Sequence, residues 1–225
     1  MTEAEWLACT DPTAMLEFLR GKASERKLRL FAAAGFARLV GLLPDPRQRR
    51  GIEVLEQLAE GDATPSARRS VTTQVRQAIP RNDWGADPLP TDDPHYVALM
   101  LYREFCSSSP ARHAVHATAG LADAAGEQRQ QARLMGCIFG NPFRPSLPLP
   151  PAVLNWSDST LRRIAQSIYE ERRLPVGTLD NSRLAILADA LLDAGCEDEA
   201  LMQHCREPGP HVRGCWAVDL ILGRE

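Results

Sequence analysis

A small polar residue followed by proline recurs along this chain. No other sequence feature limits its fold as strongly. The pairs are Asp11-Pro12, Asp45-Pro46, Thr64-Pro65, Asp93-Pro94 and Ser109-Pro110. Asp, Ser or Thr at an N-cap accepts a hydrogen bond from a helical N–H that has no partner inside the helix. Proline at the next position gives up an N–H that would have gone unpaired anyway. Each pair therefore predicts a helix start, and Thr2 with Glu5 predicts a capping box before a first short helix.

The segments between these starts carry apolar residues at steps of three and four. Leu28, Phe31, Gly35, Leu39 and Leu42 mark one face of a helix over about 24–43, with Gly35 expected where a neighbouring helix comes close. Ile52, Leu55 and Ala59 mark the next helix, and Ala67, Val71, Val75 and Ala78 the one after. Val97, Leu101 and Phe105 follow a loop over 80–93 that contains Trp84. An alanine-rich helix is expected over 111–125, continuing through Glu127 towards Cys137. No segment alternates with period two over five residues, so no strand is expected.

Residues 140–151 read GNPFRPSLPLPP, and five prolines in twelve residues exclude a helix. The chain is thus expected to be all-α: a multi-helix bundle over 1–139, a Pro-rich connector over 140–151, and a compact helical C-terminal unit over 152–225 packed on the first part. In that unit Ser157 to Thr160 are expected to cap a helix with Leu161, Ile164, Ala165 and Ile168 inward. Asn181 or Ser182 caps the next, and Gly195 ends it in the left-handed conformation. A short helix over 197–205 and a last one over 215–222 complete the chain.

Composition narrows the function classes. A chain of 225 residues with a formal charge of -3 has no global electrostatic footprint for nucleic acid. The acidic opening MTEAEW lacks a leader pattern, and no apolar run approaches a membrane span. A cytoplasmic protein is expected, in which six cysteines are thiols or metal ligands rather than disulfides. Cys9, Cys106 and Cys137 lie among apolar neighbours and read as buried small side chains.

The chemistry concentrates near the C-terminus, where Cys196, His204, Cys205, His211 and Cys215 form a candidate metal-ligand pool. The His211-x3-Cys215 spacing suits a zinc half-site. The other half does not, because His204 and Cys205 are adjacent and point about a hundred degrees apart on a helix. The simpler reading buries the three cysteines and lets His204 and His211 bond carbonyls around the Gly-Pro turn, with zinc as the alternative. A thiol hydrolase built from Cys205 or Cys215, a histidine and Asp219 has the ingredients but no surrounding signature. His113 and His116 share a helix face and could meet His95 or Cys106, without the Glu-x-x-His motifs of a metal bundle. The pairs Arg49-Arg50, Arg68-Arg69, Arg162-Arg163 and Arg172-Arg173 read as solvated, salt-bridged faces. Phosphate-loop, dinucleotide and zincin motifs are absent.

The opening MTEAEWLACTDPTAMLEFLRGKASERKLRLFAAA, with GNPFRP, LADALLDAGC and HCREPGPHVRGCWAVDLILG, resembles the two ends of a group of paralogous, uncharacterised planctomycete bacterial proteins. The resemblance covers both ends but not the middle, and implies no activity or site. The chain departs from the group at Ala33, Ala34, Gly35 and Phe36, where a cysteine pair followed by basic residues is expected. RLAILADALLDAGCEDEA also resembles a short companion segment of some repeat proteins, which implies a protein-interaction setting. The expectation is a non-catalytic helical module that mediates protein–protein interaction, with Trp84, Phe143, Trp156 and Trp216 as anchors where exposed. The alternatives are a zinc-stabilised regulatory or nucleic-acid-associated protein and a small thiol-dependent enzyme.

Overall fold

The computed structural model describes residues 1–80, 95–107, 111–118 and 121–224. Thirteen α-helices occur among these residues: α1 Glu3–Ala8, α2 Pro12–Leu19, α3 Glu25–Arg38, α4 Pro46–Glu60, α5 Pro65–Gln77, α6 Tyr96–Cys106 and α7 Arg112–His116 come first. They are followed by α8 Ala124–Phe139, α9 Pro151–Leu154, α10 Trp156–Glu170, α11 Asn181–Asp193, α12 Glu199–Arg206 and α13 Trp216–Leu222. Two isolated bridges join Thr178 to Arg173 and to Val212, and no strand occurs among the described residues. The fold is all-α.

The polar-proline pairs that lie in described residues start helices as expected. Asp11, Asp45 and Thr64 accept from N–H groups of the first turns of α2, α4 and α5, each with proline just inside the helix. Thr2 and Glu5 close their capping box. Asp93-Pro94, Ser109-Pro110 and Trp84 lie outside the described residues.

α3 departs from the single apolar stripe expected of it. Every residue from Leu30 to Ala37 is buried, so this helix is sheathed on all sides. The alanines make that possible, because neighbours can approach a small side chain from any direction. At Gly35 an added Cβ would lie 3.2 Å from the Ala114 Cβ, which is the close approach the glycine predicted. The helix ends at Arg38 and the chain tightens through a 3-10 turn over Val40–Leu42 before the Pro44-Asp45 corner, leaving Leu42 45% exposed. Leu42 is therefore not part of the core face.

The alanine-rich stretch is not one helix. Ala111 sits at φ 82°, α7 has five residues, and Asp123 caps a fresh start for α8. Asp competes for nearby backbone N–H groups more strongly than alanine propensity favours continuation. The Ser157–Ser159 run likewise interrupts rather than caps: all three residues are left-handed, and regular helix resumes at Thr160. The cap of α11 is Asp180, one residue before the expected position. Gly195 is left-handed at φ 76°, and Cys196 N–H reaches back to the Leu191 carbonyl as the motif requires.

The connector is fastened at its start. Trp6 Nε1 donates to the Gly140 carbonyl at 3.0 Å, and Asn141 and Arg144 both bond Glu3. Gly140 has φ 63°, and a Cβ there would lie 3.1 Å from the Trp216 ring. Phe143 stacks on Phe18 at 5.1 Å, and Leu149 is buried. Trp156 and Trp216 are half-buried and pack on the core. Ion pairs then cross from the C-terminal part to α3 and α4. Arg172 and Arg213 meet Glu56, and Arg26 meets Asp219.

Candidate metal centre

Three segments converge at one point. Cys137 lies in the last turn of α8, on the face that buries Leu134 and Ile138. His204 lies in the last turn of α12. Pro208, Gly209 and Pro210 then reverse the chain and bring His211 and Cys215 back, with Cys215 at the N-cap of α13. One ligand atom from each of Cys137, His204, His211 and Cys215 lies within 4.8 Å of the other three. Cys137, His211 and Cys215 are buried and His204 is half-buried.

The histidine orientations are fixed from outside. His211 Nε2 stands 3.0 Å from the Glu207 carbonyl, which can only accept, so this nitrogen carries the proton. Nδ1 faces the cluster, 3.7 Å from Cys137 Sγ. This arrangement, a carbonyl holding the far nitrogen, is the usual support of a metal-bound imidazole. His204 Nε2 lies 3.3 Å from Cys215 Sγ. The two imidazoles meet edge-on with centroids 4.7 Å apart, and Trp216 covers His204 at 5.1 Å.

The protons sort accordingly. Burial opposes ionisation of Cys215, but hydrogen bonds from Cys137, His204 and His211 outweigh it and hold the thiol well below its ordinary range. Cys137, donating to Cys215 and fully buried, is pushed well above its own. Burial lowers His211, yet the Cys215 sulfur and the Glu207 carbonyl raise it overall. The two thiols are therefore pushed in opposite directions, Cys137 towards the protonated form and Cys215 towards the thiolate.

Tetrahedral zinc holds sulfur at about 2.3 Å and nitrogen at about 2.0–2.1 Å, which places ligand atoms roughly 3.3–3.8 Å apart. Four atoms within 4.8 Å of one another reach that shell by small side-chain shifts. A divalent ion with two thiolates and two neutral imidazoles carries no net charge, which suits a site closed to water. Soft sulfur and imidazole in a tetrahedral set favour zinc over magnesium or calcium.

Of the five residues in the sequence pool, three meet here: His204, His211 and Cys215. Cys196 and Cys205 are buried but stand outside the group. Burial pushes the Cys205 thiol far up, the environment of a packing side chain. The fourth member is Cys137, which sequence reading placed among the inert cysteines. The signal available for it was indirect: the C-terminal pool had only one well-spaced half, and Cys137 directly precedes the connector that leads back to it. Asp219 faces neither histidine of the pool. Its carboxylate accepts from Arg26 and Tyr169, so no Cys-His-Asp relay forms. His113 pairs with Glu104 instead of a metal. The arginine pairs act singly: Arg50 meets Glu53, Arg68 donates to the Phe105 carbonyl, and Arg172, half-buried rather than solvated, meets Glu56.

No helix among the described residues is long and apolar enough to cross a membrane. No protein-family model, curated protein or solved structure matches this chain.

Proposed function

We propose that this chain is a non-catalytic helical module whose C-terminal part is fastened to its N-terminal bundle by a structural zinc ion. The observation that carries the reading is the convergence of Cys137, His204, His211 and Cys215 within 4.8 Å. These four residues would fill all four positions of a tetrahedral ion, the pattern of a structural site rather than of one that keeps a position open for substrate. Cys215 is fully buried, which also favours a ligand over an exposed nucleophile. The motifs that resemble the planctomycete group include three of the four ligands and imply no activity, and a cytoplasmic setting would agree with free thiols. Cobalt substitution tests the reading. A tetrahedral site with two sulfurs gives visible d–d bands and a sulfur charge-transfer band at one cobalt per chain. Octahedral, sulfur-free cobalt would contradict it.

A second observation supports the interaction role. Pro145 and Pro148 stand three residues apart, the period of a polyproline II helix, in the stretch between the turn over 141–144 and the start of α9 at Pro151. Leu149 packs inward and Arg144 is tied to Glu3, while Leu147 stays open at 80% exposed. Such a strip suits a partner with an aromatic-lined groove. A pull-down comparing the intact protein with a Leu147→Ser, Pro148→Ser variant tests this. Capture by the first alone supports it, and equal capture by both contradicts it.

A further inference from the structure

α3 supplies none of the four ligands, yet one of its side chains reaches both cysteine-bearing segments. Lys27 Nζ donates to the Ile138 carbonyl at 2.7 Å, and Ile138 directly follows Cys137. This carbonyl lies at the C-terminal end of α8, where helical carbonyls lack partners and a cation is favoured. The same ammonium lies 3.7 Å from Asp219 Oδ2. Asp219 stands one turn beyond Cys215, and its N–H donates to the Cys215 carbonyl at 2.9 Å. Lys27 thus spans from the residue after one thiol to the helix that begins at the other.

Asp219 does not need Lys27 as a counter-ion. Arg26 already donates to both carboxylate oxygens, at 2.7 and 3.2 Å, and the Tyr169 hydroxyl donates to Oδ1 at 2.8 Å. The Lys27 side chain is only 16% exposed, so its ammonium has lost most of its water. Burial lowers the Lys27 pKa, against the pull of Asp219 and Cys215. A buried cation kept beside an already neutralised carboxylate is costly for stability alone. Its geometry does something else: it fixes how far the end of α8 lies from the start of α13.

We propose that Lys27 is a positioning residue of the metal centre, setting the separation of Cys137 and Cys215 before the ion arrives. The inference rests on the zinc reading of that centre. Supports of this kind around metal ligands typically contribute 10–100-fold in affinity, because an ordered ligand set does not have to be assembled on binding.

The experiment measures zinc affinity by chelator competition on purified full-length wild type, Lys27→Met and Lys27→Arg, with the melting temperature of each metal-free protein. The expected result is a 10–100-fold weaker zinc affinity for K27M, with a metal-free melting temperature near that of wild type and recovery of most of the affinity in K27R. Equal affinity in K27M and wild type would overturn the role of Lys27 while leaving the zinc centre intact. Loss of affinity matched by an equal loss in K27R would also overturn it. Wild type that binds no zinc would instead remove the centre itself. If K27M does not fold, K27R alone carries the comparison: an affinity within tenfold of wild type would support the proposal, and a larger loss would overturn it.

Discussion

Cys137 and His211 lie 74 residues apart in the chain and 3.7 Å apart in space, Sγ to Nδ1. An ion bound between them closes that long loop in the folded state and has no comparable site in the unfolded chain. Its binding free energy therefore adds to folding.

Metal removal is the first consequence. At free zinc a hundredfold above the dissociation constant, the gain is about 2.7 kcal/mol. For a chain of this length that corresponds to roughly 5–10 °C in melting temperature. Dialysis against a strong chelator should lower the melting temperature by that amount, and added zinc should restore it. A melting temperature indifferent to both would show that no ion supports the fold.

Zinc binding should also release protons. Before binding, Cys137 and His211 are shifted towards their protonated forms and Cys215 towards its thiolate. All ligands must be deprotonated in the complex, so affinity falls as pH falls. Near pH 7.5 the release should be about one to two protons per zinc, mostly from Cys137 with a fraction from His211. Calorimetry in buffers of different ionisation enthalpy reads this number directly, and a value near zero would contradict the assignment.

Tyr169 is fully buried, and its hydroxyl joins three groups behind Cys215. It donates to Asp219 at 2.8 Å, lies 3.3 Å from the Cys215 carbonyl, and accepts from Gly214 N–H at 3.1 Å. Tyr169→Phe keeps the ring but leaves Gly214 N–H without its partner and Asp219 Oδ1 with Arg26 alone. The expected cost is about 1–3 kcal/mol, read by denaturant unfolding. A change below about 0.5 kcal/mol would show that water replaces the hydroxyl freely.

Gly140 is a second pressure point. A side chain there meets both a positive φ of 63° and the face of Trp216 at 3.1 Å. Gly140→Ala should destabilise by about 1–3 kcal/mol and loosen the cover over His204. Trp216 fluorescence after chemical unfolding titration would report both effects, and an unchanged midpoint would contradict the contact.

Local chemistry made much of this fold legible. Asp11, Asp45, Thr64 and Gly195 act within a few residues of themselves, so their helix boundaries could be read without the rest of the chain. His211 and Cys215 were legible for the same reason, as a spacing of four. Cys137 was not, because nothing beside it differs from a packing cysteine and its partners are set by tertiary contact alone. The Arg26–Asp219 and Lys27–Ile138 contacts were hidden likewise: α3 reads as an amphipathic helix, and its burial on every side depends on helices far along the chain.

The most direct test of the zinc centre is the metal content of untagged protein, measured by elemental analysis on wild type and on five single variants. About one zinc per chain is expected in wild type, in Cys196→Ser and in Cys205→Ser. The metal should be lost in Cys137→Ser, His211→Ala and Cys215→Ser. Zinc retained by Cys137→Ser, or no metal in freshly prepared wild type that also fails to take up added zinc, would contradict the account.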